Sequence, residues 1–316
     1  MILAAVRRVL RDRGVMGLNA RNGLYIAPHN ARRHYPVVDN KLLTKRLAVR
    51  ANIPTPPLYA VIEAHHQLRK LRELLAGRQA FVVKPARGAA GNGILLITAC
   101  DRERLTRPSG ETLTWEALTH HVASILSGIH SLEGLEDQAM IEALIQVDPV
   151  FEAVTYRGVP DIRIIVYRGV PVMGMVRLPT RRSDGRANLH QGAIGAGIAL
   201  ATGITGTAVQ GRMVVSHHPD TGQPVSGIRV PHWPRILEIA ALGYDMTGLG
   251  YLGADAVIDR TRGPVLLELN ARPGLAIQLA NQDGLRGRLR RLDAAWKPGL
   301  SPSVHERVAL ARTLSS

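Results

Sequence analysis

Lys84 ends the apolar run "AFVVK" (80–84) in a chain with 35 arginines and only five lysines, and Gly88, Gly91 and Gly93 follow at once. A short glycine-rich turn leaves backbone N–H groups unobstructed and wraps phosphate oxygens. A lysine on the strand leading into that turn sets its ammonium against the same phosphates. Lys84 and the 88–93 loop therefore read as one polyphosphate grip. The competing reading is structural: a hairpin turn needs glycine too, and Lys84 then only carries its ammonium to water along an apolar stem.

A second set lies in "VLLELN" (265–270), where Glu268 interrupts an apolar strand and Asn270 follows on the same face. A buried carboxylate is costly unless paired. Asp255, on the preceding strand of a hairpin, completes two carboxylates and an amide oxygen, an all-oxygen set suited to magnesium. The alternative is a salt bridge from Glu268 to an arginine such as Arg272. In "DIRIIVY" (161–167), Asp161 and Arg163 share one strand face, and Arg177 on the partner strand joins it. Arginines there suit a phosphoryl group in transfer, or else form a structural ion pair.

Other motifs fall away. No Gly-Lys dipeptide exists, so there is no Walker A loop. "GLGYLG" (248–253) has the dinucleotide-binding spacing, but a helix precedes it and a strand follows, the reverse of the required order. The histidine pairs His65-His66, His120-His121 and His217-His218 lack H-E-x-x-H spacing.

The elements that position these residues follow from periodicity. "DNKLLTKRLAVRANIPTPP" (39–57) predicts a helix capped by Asp39 and stopped by Pro54, Pro56 and Pro57. Residues 63–76 predict a second helix ending at Gly77, and strands follow at 80–84 and 93–98. The polar stretch 100–113 reads as a loop, 114–130 as a helix and "MIEALI" (140–145) as a strand. A hairpin turns at Gly169, and a long loop follows from 180 to about 211, expected to be mobile until substrate binds. A helix at 234–247 precedes a hairpin turning at Arg262 and Gly263. Residues 1–38 show no βαβ unit. Hairpins with helices between them predict an α+β fold with antiparallel sheets.

Composition bounds the rest. The 316 residues allow one large domain or two ordinary ones. The formal charge of +15 favours anionic partners, although arginine bias alone could supply it. Aromatic residues are only 4%, which leaves little for base stacking and argues against nucleic acid. The single Cys100 excludes an internal disulfide and a multi-cysteine zinc site, and a cytoplasmic protein is the simplest fit. The start, "MILAAVRRVLRDRG", is too short and wrongly charged for a signal peptide, and no run could span a bilayer. It reads instead as a core-packing or docking segment, or a short basic helix lying on a surface.

Taken in order, "VDNKLLTKRLAVRANIPTPP", "FVVKP" with "GAAGNG", "MIEALI", "DIRIIV", "RSDGRANLHQGA", "GADAVID" and "LLELNARPG" resemble the ATP-grasp superfamily. The likeness is greatest to its RimK-like α-L-glutamate ligases, and it runs from about 38 to 280. It implies an ATP-grasp fold of two α+β subdomains gripping ATP between them. Residues 1–38 would stand in place of a full preceding domain, 39–290 would form the grasp (small subdomain about 80–145, large about 146–290), and 291–316 a helical tail.

By that resemblance, Lys41 and Lys84 contact ATP phosphates under the loop carrying Gly88, Gly91 and Gly93. Glu142, Ala143 and Leu144 form the adenine hinge, and Asp161 belongs to the nucleotide-binding set. Asp255, Glu268 and Asn270 hold magnesium, as two ions that manganese can replace. Arg163 and Asn188, with Arg177, His190 and Arg272, face the acyl phosphate and substrate. The activity implied is ATP-dependent joining of a carboxylate to an amine, on glutamate or a similar amino acid or peptide. A phosphotransferase, or a non-catalytic polyanion binder, is the alternative.

Overall fold

The computed structural model describes residues 8–88, 91–131, 134–297, 299 and 301–315. The chain separates into two compact units. The smaller comprises Asp39–Arg46 and Thr55–Gln146, and the larger Met1–Val38, Leu47–Pro54 and Val147–Ser316.

The smaller unit carries β1 (Leu58–Ile62), β2 (Phe81–Pro85), β3 (Leu95–Ile97), β4 (Ala99–Cys100), β5 (Arg104–Thr106), β6 (Thr112–Thr114) and β7 (Ala139–Ala143). Strands β1, β7, β2 and β3 lie in that order in one antiparallel sheet. In β2, Phe81 and Val83 are fully buried, while Val82 and Lys84 turn to the other face. Lys84 therefore interrupts no core.

The helix Trp115–Leu126 packs on the buried face, with Leu118, Val122 and Ile125 at helical spacing meeting Phe81, Val83 and Ile141. Burying each such side chain stabilises the unit by about 1.5–3 kcal/mol. Thr114 starts the helix by accepting a hydrogen bond from the Ala117 N–H at 3.2 Å.

Two expectations fail here. The stretch 100–113 is not a loop: β4, β5 and β6 form a three-stranded meander. The Asp101 carboxylate accepts from Glu103 N–H at 2.8 Å and Arg104 N–H at 2.7 Å, which closes the first turn. Strands of two or three residues are too short to show alternation. The second helix is also mostly a 3₁₀ helix, His65–Lys70, followed by one α turn, Leu71–Leu74. Leu68 and Leu71, three apart, eclipse on a 3₁₀ repeat and pack together into the core.

The larger unit holds β8 (Asp161–Tyr167), β9 (Val170–Leu178), β10 (Ile194–Ile198), β11 (Thr205–Gln210), β12 (Met213–Val215), β13 (Tyr251–Asp259) and β14 (Gly263–Asn270). They form one antiparallel sheet in the order β12-β11-β10-β9-β8-β13-β14. Both hairpins turn where expected, with positive φ at Gly169 and Gly263.

The 180–211 stretch is corrected: it contains all of β10 and β11, separated from β9 by two 3₁₀ turns, Arg181–Ser183 and Leu189–Gln191. The glycines at 195 and 197 that suggested a loop instead leave room for neighbours. A Cβ at Gly197 would stand 2.8 Å from the Ala280 carbonyl oxygen.

Both faces of this sheet are covered. Helix Trp233–Thr247 packs Ile236, Leu237 and Ala240 against Ile162, Ile164, Val166 and Val176. On the other face, Ile165, Tyr167 and Met173 meet Met16, Tyr25, Ile26 and Leu289. Strands buried on both sides lose their alternation, which explains the near-continuous apolar runs of β8 and β9. The N-terminal residues that showed no pattern are a succession of short helical turns, Leu18–Ala20, Arg21–Ile26 and Ala27–His29, covering that second face.

Candidate functional site

Two polar clusters gather the expected residues, one in each unit. The helix Lys41–Arg50, whose first turns belong to the smaller unit, is capped by Asn40, whose Oδ1 accepts from Leu42 N–H at 2.9 Å and Leu43 N–H at 3.2 Å. This corrects the expected cap: Asp39 ends the preceding helix, Tyr35–Asp39. Lys41 and Lys45 fall one turn apart on the same face. Lys41 donates to the Gly88 carbonyl oxygen. Lys45 reaches Glu142 Oε1 at 2.7 Å and donates to the Pro56 carbonyl, while Lys84 reaches Glu142 Oε2 at 2.5 Å.

Val82 pairs with Glu142 across β2 and β7, so Lys84 is the diagonal neighbour of Glu142 on one face. Burial works to raise the Glu142 carboxyl, but Lys84 and Lys45 outweigh it and hold it below the usual range. Burial lowers the Lys45 ammonium by more than Glu142 restores. Two ammonium groups on one carboxylate leave an excess positive charge facing this strand.

The glycines above it are sterically required. A Cβ on Gly88 would fall 2.3 Å from Pro85 Cγ, and Gly93, at φ +74°, has His130 Cβ 2.7 Å from where its own would be. His121 Nε2 lies 2.9 Å from the Gly93 carbonyl oxygen. Asp137 holds the loop's start, accepting from Arg87 N–H at 3.0 Å and Ser131 Oγ–H at 2.6 Å. Gly91 also has positive φ, and residues 89 and 90 lie outside the described set. Of the residues expected to read adenine, Glu142 and Ala143 lie in β7, and Ala143 N–H donates to the Pro57 carbonyl at 2.9 Å. Leu144 alone stands just past the strand end.

In the larger unit, Asp255 faces Arg163 across one strand and Glu268 across the other, while Asp161 faces Arg177. Arg163 grips both Asp255 oxygens, through Nε at 2.6 Å and through Nη2. Arg177 grips Asp161 in the same way and adds a bond to Asp255 Oδ2 at 2.9 Å. Both aspartates are almost entirely enclosed. Burial would raise both carboxyls. Arg163 and Arg177 drive Asp255 well below the ordinary range, whereas Asp161, sharing Arg177 with Asp255, is pushed up to about 6.

Glu268 is about one-third exposed, with Arg163 Nη2 4.0 Å away and Asn270 Nδ2 donating to its Oε1 at 3.2 Å. Asn188 begins a 3₁₀ turn by accepting from His190 N–H at 3.0 Å, which leaves the His190 ring exposed. Arg272 lies over the Tyr35 ring, 4.9 Å from its centroid.

Sequence reasoning grouped Asp161, Arg163, Arg177, Asp255, Glu268 and Asn270, and the strand register brings them together. It missed Lys45 and Asp137. The i, i+4 spacing of two of the chain's five lysines would have revealed Lys45; nothing local marks Asp137.

A metal at this second cluster must contend with the arginines. Among the described residues, no group of three His, Cys, Asp or Glu side chains is placed to hold one. Glu268 and Asn270 fit as neighbouring oxygen donors, and Asp255 Oδ1, which accepts from Arg163 Nε, keeps a lone pair, whereas Oδ2 already accepts from Arg163 and Arg177. The donor set is all oxygen, as magnesium requires.

The sequence profile of sugar-transfer associated ATP-grasp proteins matches residues 20–294. The chain belongs to that family. This ATP-grasp chain is an α+β protein with antiparallel sheets, as described above. No curated protein matches it. Among solved structures it is similar to the ATP-grasp ligase PsnB complexed with a minimal precursor, at 12% identity and TM-score 0.45, covering 84% of this chain and 62% of that one. It is similar to the D-cycloserine synthetase DcsG at 14% identity and TM-score 0.46, over 83% and 72% of the two chains. It is also similar to D-alanine–D-alanine ligase from Bacillus anthracis, complexed with ATP, at 13% identity and TM-score 0.42, over 89% and 67%. The ATP-grasp chain thus spans less than two-thirds of the PsnB chain's length. No helix among its described residues is long and apolar enough to cross a membrane.

Proposed function

We propose that this ATP-grasp chain is an ATP- and magnesium-dependent ligase joining a carboxylate to an amine. The reading rests on family membership and on one observation: Asp255 lies opposite Glu268 with Arg163 and Arg177 at the same carboxylate. A cluster that combines oxygen donors with guanidinium groups suits a phosphoryl group whose charge shifts during transfer.

Lys84 and Lys45 bind ATP phosphates, using the positive charge that Glu142 leaves uncompensated. Glu142 holds both ammonium groups in place when no phosphate is bound. Glu268, Asn270 and Asp255 hold magnesium, which when bound neutralises charge on the phosphate oxygens. Arg163, fixed by Asp255, steadies the transferring group. The substrate carboxylate attacks the γ-phosphorus and ADP leaves; the amine then attacks the acyl carbon and phosphate leaves, its proton passing to solvent. Leu144, just past the end of β7, reads the adenine. Asn188, His190 and Arg272 line the acceptor side.

The substrate is glutamate or a similar amino acid or peptide. The family's description, sugar-transfer associated, favours a second reading in which the amine or the carboxylate is carried on a sugar. The test is mass spectrometry of products formed from ATP, magnesium and a panel of amino acids, peptides, amino sugars and sugar acids. An amide with free phosphate supports the ligase. A phosphorylated acceptor would show a phosphotransferase instead.

A further inference from the structure

We propose that the face formed by residues 8–24 and 279–291 docks on an anionic lipid bilayer. Every residue from 8 to 13 is exposed, including both large apolar side chains of the helical turn at 8–12. Large apolar side chains on this stretch stand in water: Val9 at 51%, Leu10 at 45%, Leu18 at 60% and Leu24 at 53%. Leu279, on a neighbouring helix, is 53% exposed.

The two segments are joined side by side. Arg286 N–H donates to the Gly14 carbonyl at 3.0 Å, and Gly14 and Gly284 touch so closely that a Cβ on Gly284 would fall 2.1 Å from the Gly14 carbonyl carbon. Met16 N–H donates to Gln278 Oε1 at 2.8 Å, which sets Leu18 and Leu279 on adjoining stretches of chain.

Charge decides the partner. Arg8, Arg11, Arg13, Arg290 and Arg291 are exposed on these segments and Arg286 and Arg288 half-buried, against only Asp12 and Asp283, while Arg21 is buried against the Pro273 carbonyl. Exposed aliphatic side chains among arginines match the boundary between acyl chains and anionic headgroups. A nucleic acid would call for exposed aromatic rings, and neither segment carries an aromatic residue.

The test is cosedimentation with vesicles of phosphatidylcholine alone and of phosphatidylcholine with phosphatidylglycerol. The wild-type protein should bind only the anionic vesicles. Arg290→Glu with Arg291→Glu should weaken binding by about fivefold or more per arginine. Val9→Ser with Leu10→Ser should weaken it roughly tenfold or more. Thermal melts should be unchanged in both variants, because these side chains are exposed. Equal binding to both vesicle types, or to neither, overturns the proposal. So does a serine pair that binds like wild type while heparin displaces both, which marks a plain polyanion patch. A wild-type dimer that the serine pair splits into monomers overturns it in favour of self-association.

Discussion

Lys84 and Glu142 meet at 2.5 Å across β2 and β7, and Lys45 closes on the other carboxylate oxygen at 2.7 Å. One buried anion thus holds two cations that would repel each other without it. Glu142→Gln should destabilise the protein by about 3–5 kcal/mol, the scale for leaving buried charge unpaired. If the lysines bind phosphate, magnesium–ATP should raise the melting temperature of this variant by more than it raises wild type's. Equal shifts would detach the lysines from nucleotide.

Lys84→Ala should separate binding from folding. Lys45 remains on Glu142, so the melting temperature should fall less than in Glu142→Gln. ATP affinity by calorimetry should drop roughly tenfold or more, the scale of a charge-assisted contact. Unchanged affinity would return Lys84 to a purely structural role.

Stability against pH should carry two opposed signatures. Glu142 and Asp255 have folded-state values below their unfolded ones, so their stabilisation is present above about pH 4 and is lost as acid protonates them. Asp161 is raised to about 6, so its contribution is present at low pH and is lost as pH rises through 6. Denaturant titrations from pH 4 to 7 should show that loss in wild type and not in Asp161→Asn. The same slope in both would remove Asp161 as its source.

The legible parts of the sequence were those with long, repeated signals. Hairpins at 161–178 and 251–270 announced themselves through apolar runs broken at Gly169 and Gly263, and register then forced Asp255 beside Arg163 and Glu268. The meander at 99–114 was illegible because strands of two or three residues have no period to detect. Residues 18–39 were illegible for another reason: their short turns are held by the sheet face they cover, not by their own spacing. Glycine misled at 195 and 197, where it marks close packing in a strand and not a mobile loop.

Gly93→Ala should destabilise the loop by about 1–2 kcal/mol through two causes, its positive φ and the clash with the His130 ring. Adding His130→Gly, whose own cost is read from the single variant, removes the clash with both the His130 Cβ and its ring. The double variant should therefore recover part of the lost stability in denaturant melts, and full recovery would show that φ contributes nothing.

Glu268 and Asp255 divide the metal reading from the structural one. Asp255 is buried under two guanidinium groups, so Asp255→Asn should cost about 3–5 kcal/mol whatever the protein does. Glu268 is about one-third exposed, and its distance to Arg163 is 4.0 Å, the length of a weak surface pair. Glu268→Gln should therefore change stability in metal-free buffer by less than Asp255→Asn does. If Glu268 holds magnesium, the same change should abolish the stabilisation that magnesium adds beyond ATP alone, and turnover should collapse with it. Thermal melts with neither ligand, with ATP and with magnesium–ATP read both effects on one sample. A variant that melts several degrees early without metal, yet keeps the whole magnesium-dependent shift, would make Glu268 a structural partner of Arg163 and withdraw it from the metal site.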